Sequence, residues 1–478
     1  MADRYNENEQ RAREYFDSGR SKMGAGDLAG AIEDFTKAIE LKDDFGKAYN
    51  HRGFAKAKLE DWQGTLLDCN KVIELSPNDA IAHYNRGGTK FELKDWQGAH
   101  ADFDKAIDLK PDYADAYNGR GVTNSNLGNY RQALADYNEA IRLKPNYLDA
   151  YKNRGAIKRE QRDWHGAFAD CNKVIELEPN NVEFLNYRGV ANSELGNHRQ
   201  SLADYNKAIE LKPNYAGAYC NRGVTKLKLK DWQGALADCN KAIELKPNYP
   251  DAYAGRGFAH SELGNHQQAL ADYDKAIDLN PDDAKAYNGR GLANDELGNH
   301  QQALADYDKA IELDSSNAEV YVNRGISHNG LRNHQQALAD YNKAIELKDD
   351  FAKAYNGRGA TNNEIGNYPQ AFVDCNKAIE LKPDFAAAYV NRGGAQGRLG
   401  NYQQALADCD KAIEMNPKIA DAYNTRGVVK FELKQYEDAI KDLDKAIELN
   451  PNYTGAINNR QAIRLHIKKS RGGGGAQD

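Results

Sequence analysis

The chain has 478 residues, and its 64 Lys and Arg stand against 71 Asp and Glu for a formal net charge of −7, a balance that argues against broad contact with nucleic-acid phosphates, which needs a basic footprint. No apolar run approaches the about 20 residues that cross a bilayer, so no membrane span is expected. Met1 to Gln10 carry no apolar signal stretch, and the six cysteines (Cys69, Cys171, Cys220, Cys239, Cys375 and Cys409) form no CxxC pair, as in a reducing compartment; a cytoplasmic location is the expectation.

From residue 12 onward the sequence repeats every 34 residues without an insertion. Arg-Gly-Val recurs at Arg120, Arg188, Arg222 and Arg426, and Lys-Ala-Ile recurs throughout. Thirteen full units begin at 12, 46, 80, 114, 148, 182, 216, 250, 284, 318, 352, 386 and 420. Residues 1–11 are then an N-terminal extension and 12–453 the array, and positions below are counted 1 to 34 within a unit. Each unit reads as two helices, as in Ala116 to Leu127 and Gln132 to Leu143, joined by turns such as Gly128-Asn129 or Lys94-Asp95. Proline at position 32 in ten units, Pro77 to Pro451, lacks an amide donor and stops the second helix. Pro369 falls at a helix start, where the missing donor costs nothing. Asp43, Ser315 and Asp349 replace the proline, and two of these joints are adjacent; amide hydrogen exchange is expected to be faster near 314–352, and uniform protection would contradict this. Residues 454–469 read as a capping helix and 470–478 as a flexible Gly-rich tail.

Gly occupies position 8 in all thirteen units, Gly19 to Gly427, and position 20 is Ala except at Thr65 and Ser201. Glycine inside a helix costs about 1 kcal/mol relative to Ala, so its recurrence calls for a packing reason: two small residues let the paired helices approach closely. The cap, which has no second helix, carries Gln461 there. Gly at 8, Ala at 20, an aromatic at 24, Ala at 27 and Pro at 32 in 34-residue units resembles the tetratricopeptide repeat, over about nine tenths of the chain. The resemblance implies an all-α fold, an α-solenoid in which antiparallel helix pairs form a right-handed superhelix with first helices on the inner face. It also implies a non-enzymatic scaffold for protein or peptide partners.

Position 7 is Arg in twelve units, Arg52 to Arg426, and again at Arg460; position 23 is Asp in all thirteen, Asp34 to Asp442. The first unit has Asp34 but Ser18 at position 7, and the cap has Arg460 but no second helix. Pairing each Asp with the Arg 18 residues on would use all thirteen of each, from Asp34–Arg52 to Asp442–Arg460, so a ladder of ion pairs between units is expected.

Five cysteines take the aromatic position 24, and Trp62, Trp164 and Trp232 at position 17 accompany Cys69, Cys171 and Cys239, as in volume-conserving packing. Neither HExxH nor His-x-His occurs, and no Gly-rich phosphate loop or nucleophile elbow is present, so no cofactor, metal or catalytic residue is expected.

Asparagine alternates between position 5 of one unit and position 6 of the next: Asn50, Asn85, Asn118, Asn153, Asn186, Asn221, a gap at Ala254-Gly255, then Asn288, Asn323, Asn356, Asn391 and Asn424, ending at Asn458-Asn459. Its amide offers both donor and acceptor to a peptide backbone, so this series is the candidate peptide-binding set; first-turn capping or bonding between helices would serve equally as its reason. Some family members carry a similar ladder at position 6, which only alternate units match here. The chaperone-binding members' two-carboxylate clamp is not expected, since Lys152 is the only position-5 Lys and position 9 never holds Asn. Position 9 is apolar or Gly from Phe54 to Val428, and position 13 is Glu in seven units, including Glu92, Glu262 and Glu296, so neutral or basic segments are favoured. Partners are expected to be proteins or peptides, with no nucleic acid, membrane or small-molecule substrate. A self-assembling rod and a regulatory adaptor of a separate enzyme are the alternatives.

Overall fold

The computed structural model describes residues 2–472, with side-chain surroundings for 7–469. Among the described residues there are 27 helices and no strand. Each unit supplies two antiparallel helices, as Ala114–Asn126 and Tyr130–Leu143 illustrate. The first helix is Ala2–Gly24, so the N-terminal extension is continuous with the first unit. The last, Thr454–Gly472, takes in three residues of the expected tail, and the rest of that tail, 473–478, lies outside the described residues.

The turn between paired helices has one conformation throughout. Position 15 is left-handed in every unit, through Gly at seven places such as Gly128 (φ 78°) and through Glu60, Lys94, Arg162, Lys230, Arg332 and Lys434 at the others. That residue turns the next amide back onto the helix it leaves, so Asn129 N donates to Asn124 O at 2.8 Å and closes the orphan carbonyl. Where position 16 is Asp, its carboxylate then caps the second helix, as Asp61 Oδ1 accepts from Gly64 N at 2.9 Å. At the proline-free joint of Ser315, Asp314 Oδ1 accepts from Ser316 N at 3.0 Å and Ser316 Oγ at 2.6 Å, so a side-chain turn stands where proline stops other helices.

Two compact bodies are distinguished, Met1–Thr225 and Lys226–Asp478. Each has a thin core of alanines around the position-24 side chain, a ring where Tyr137 packs with Ala133, Ala140 and Ala150 in the first body and Tyr273 with Ala269, Ala276 and Ala286 in the second. The position-8 glycines make room for the position-24 side chain, mostly a ring, as well as for the position-20 backbone expected to face them. A Cβ on Gly189 would lie 2.6 Å from Tyr205 Cε1, and one on Gly427 would lie 3.1 Å from the Ala439 carbonyl. In the capping helix Gln461 is exposed.

The ion pairs differ from the expected ladder. Along the array the Asp is held by the Arg of its own unit, 16 residues earlier, in eleven of the thirteen units: Arg52 Nη2 lies 2.6 Å from Asp68 Oδ1, and Arg426 Nη2 lies 2.6 Å from Asp442 Oδ1. The close approach at position 8 places the adjacent position 7 over position 23 of the partner helix. The guanidinium does reach the preceding unit, but at position 25: Arg154 Nη1 donates to Asn138 Oδ1 at 2.6 Å and Arg324 Nη1 to Asp308 Oδ1 at 2.6 Å. The chain ends fit this pattern by substitution. Asp34 takes Ser18 Oγ at 2.6 Å and Lys22 Nζ at 2.7 Å, and Arg460 takes Asp444 at 2.6 Å. Where position 11 is Lys, Asn or Gln it brings the Asp a second donor that was not expected, as Lys90 Nζ at 2.8 Å from Asp102 or Asn294 Nδ2 at 3.1 Å from Asp306. Burial alone would raise the Asp102 carboxyl, but Arg86 and Lys90 outweigh it and hold it below the ordinary carboxylate range. The position-4 tyrosines lie beneath the same guanidinium groups, with Arg290 5.4 Å from the Tyr287 ring centre.

Candidate functional site

The asparagine series forms pairs along the first helices. The amide at position 6 of one unit donates to the amide oxygen at position 5 of the unit before it, 35 residues earlier. In the first body these pairs are Asn85–Asn50 (3.4 Å), Asn153–Asn118 (3.3 Å) and Asn221–Asn186 (3.0 Å). In the second they are Asn323–Asn288 (3.1 Å), Asn391–Asn356 (3.0 Å) and Asn459–Asn424 (2.9 Å). The alternation is therefore the signature of contacts between neighbouring first helices, offset by one unit and one residue. Asn50 is exposed, Asn186 is buried and the others are half-buried. Each amide can make up to about four hydrogen bonds, and the pair contact uses one from each, which leaves the exposed and half-buried members, but not the buried Asn186, with capacity at the surface.

Cavities open beside these helices in both bodies, one of them lined by the Asn424–Asn459 pair. In the first body a cavity of about 560 Å³ is bordered by the Asn50–Asn85 pair and walled by Tyr49, Phe54, Trp62, Tyr84 and Phe103, with Cys69 and Gly88 among its lining residues. The expected exchange of volume between Trp62 and Cys69 is thus incomplete: the indole and the thiol line an open space rather than filling it. In the second body a cavity of about 390 Å³ is lined by Phe258, Glu262, Leu292 and Glu296, among others. Phe54, Phe258, Leu292 and Ile326, all at position 9, are 54%, 42%, 39% and 56% exposed.

The cysteines are placed for packing. All six are buried, and burial pushes the thiols of Cys171, Cys375 and Cys409 up to about 12, where they stay protonated and poorly nucleophilic. Histidines at position 11 face the buried aspartates at a distance, His260 at 3.9 Å from Asp272 and His328 at 3.8 Å from Asp340. Among the described residues no group of three or more His, Cys, Asp or Glu is placed to hold a metal ion, and no helix is long and apolar enough to cross a membrane.

Stacked helical hairpins that, within each body, present rows of first-helix side chains define a class, the α-solenoid interaction scaffold. Profiles described as tetratricopeptide repeat match residues 114–147, 216–249, 318–351, 352–385, 386–419 and 420–453, and related profiles match 256–318, 88–128, 193–230 and 239–271. The chain belongs to the tetratricopeptide-repeat family. No curated protein matches it in sequence. Among solved structures it is similar to the APC/C hetero-tetramer Cut9-Hcn1, at 16% identity and a TM-score of 0.54, with 93% of this chain and 95% of that one covered. It is also similar to yeast Tom70 at 20% identity and TM-score 0.37, covering 89% and 97%. A third is YrrB, a TPR protein with an unusual peptide-binding site, at 27% identity and TM-score 0.31, covering 40% and 97%.

Proposed function

We propose that the protein is a non-enzymatic cytoplasmic scaffold, and that the first-helix face of each body holds an extended peptide or protein segment by its backbone. The observation that carries this reading is the set of asparagine pairs, three in each body, whose exposed and half-buried members keep amide donors and acceptors at the surface. A backbone presents the same groups at every residue, so regularly placed amides suit an extended chain better than a globular patch. The near-neutral charge balance, with the position-7 arginines beside the asparagine row taken up by aspartates, favours protein partners over nucleic acid. The partners are proteins or peptides, with no cofactor, membrane or small-molecule substrate.

Crosslinking of the native protein in lysate, read by mass spectrometry, identifies a captured segment. Replacing Asn118, Asn186, Asn288 and Asn356 together with Ala is expected to weaken binding of that segment by at least about tenfold, since each lost hydrogen bond contributes about 1 kcal/mol. Circular dichroism should show the helix content retained. Unchanged affinity in the folded variant would move the binding surface elsewhere.

A further inference from the structure

We propose that the cavity beginning one helical turn beyond the gap in the asparagine series, at Phe258, is a selectivity pocket for a basic side chain, Lys or Arg, of the segment held by the second body; this rests on the function proposed above. At the gap, Ala254-Gly255 stand where other units have asparagine. The cavity of about 390 Å³ opens on the same first helix, Pro250–Glu262, and on the next, Ala284–Glu296. Each helix contributes an apolar residue and a glutamate one turn apart, Phe258 with Glu262 and Leu292 with Glu296. The apolar pair is 42% and 39% exposed. Both glutamates are exposed, neither makes a hydrogen bond or ion pair among the described residues, and no Lys or Arg lines the cavity. On the second helices, by contrast, several glutamates pair with the lysine three residues earlier, as Glu312 does with Lys309 at 2.7 Å.

A long basic side chain fits this arrangement. Its methylene stem covers Phe258 and Leu292 while its charged head reaches the two carboxylates. An apolar side chain would leave the carboxylates facing a dry contact, and an acidic one would be repelled. The depth of the cavity depends on Gly289: a Cβ there would fall 2.4 Å from Tyr273 Cζ. The Asn288–Asn323 pair lies at the next residue, where it would hold the backbone beside the inserted side chain.

The test uses the full chain and arrays of degenerate dodecapeptides with one fixed central residue: Arg, Lys, norleucine or Glu. The Arg and Lys pools are expected to be retained about tenfold better than norleucine, and Glu least. In the double variant Glu262→Gln, Glu296→Gln, whose exposed substitutions leave the helices intact by circular dichroism, that preference should disappear while the norleucine pool is unchanged. Phe258→Ala should weaken the Arg and Lys pools alone. A basic preference that survives the double Gln variant, or no preference in the wild type, overturns the pocket. Loss of all pools in Asn288→Ala, Asn356→Ala with the basic preference absent would sink the pocket and spare the groove. Equal retention of all pools by that asparagine variant would sink the groove reading itself, and retention of no pool by the wild type overturns both.

Discussion

Arg290→Ala is expected to destabilise the units around it by about 3–5 kcal/mol, the cost of stranding a buried charge, whereas Arg86→Ala should cost about half as much. Asp306 is 4% exposed and accepts from Arg290 Nη2 at 2.5 Å and Nε at 3.0 Å. Without the guanidinium its carboxylate keeps one neutral donor, Asn294 Nδ2 at 3.1 Å. Asp102 is as deeply buried, but it would retain the Lys90 ammonium at 2.8 Å. The contrast thus isolates the missing charge from the missing side-chain volume. Long repeat arrays do not unfold as one two-state unit, so the measurement is hydrogen exchange localised to the flanking helices together with urea unfolding. A double-mutant cycle adds the geometric test: Arg290 should couple to Asp306 of its own unit and far more weakly to Asp272 of the unit before. Coupling to Asp272 instead, or equal losses at Arg290 and Arg86, would refute this assignment. Because Asp102 is held below the ordinary carboxylate range, its contribution is complete above that range and is lost as pH falls through the lowered value.

Gly291→Ala is expected to cost about 1–3 kcal/mol, despite the about 1 kcal/mol by which Ala is the better helix former. Its Cβ would lie 2.6 Å from Tyr307 Cε1 and 3.0 Å from Cζ, and Tyr307 has no exposed surface into which to retreat. Gly155→Ala is the control. That unit has Cys171 in place of the ring, and the nearest atom to the new Cβ would be Asp170 Cβ at 3.2 Å. There, the small crowding and the gain in propensity should nearly cancel, leaving the change within about 1 kcal/mol of zero. Thermal and urea midpoints of the two variants decide the matter. Equal destabilisation would mean that glycine serves the helix pair's backbone approach alone and not the ring at position 24.

The 34-residue period, the helix pairs and the glycine requirement could all be read from the chain, because each depends on local spacing or on a residue type that nothing else replaces. The cysteines could also be read as core residues, since they stand where rings stand in sister units. The partner of each aspartate could not. Own-unit and next-unit arginines lie 16 and 18 residues away, and only the crossing of the paired helices decides between such similar separations. The ends misled because Ser18, Lys22 and Asp444 satisfy groups that counting arginines and aspartates would leave alone. The asparagine series was visible, but its alternation acquired a reason only from the one-residue offset between adjacent first helices, a tertiary register that no single unit encodes. The cavities were hidden for a related reason: a space is the joint absence of side chains from several helices, and a linear sequence records side chains one at a time.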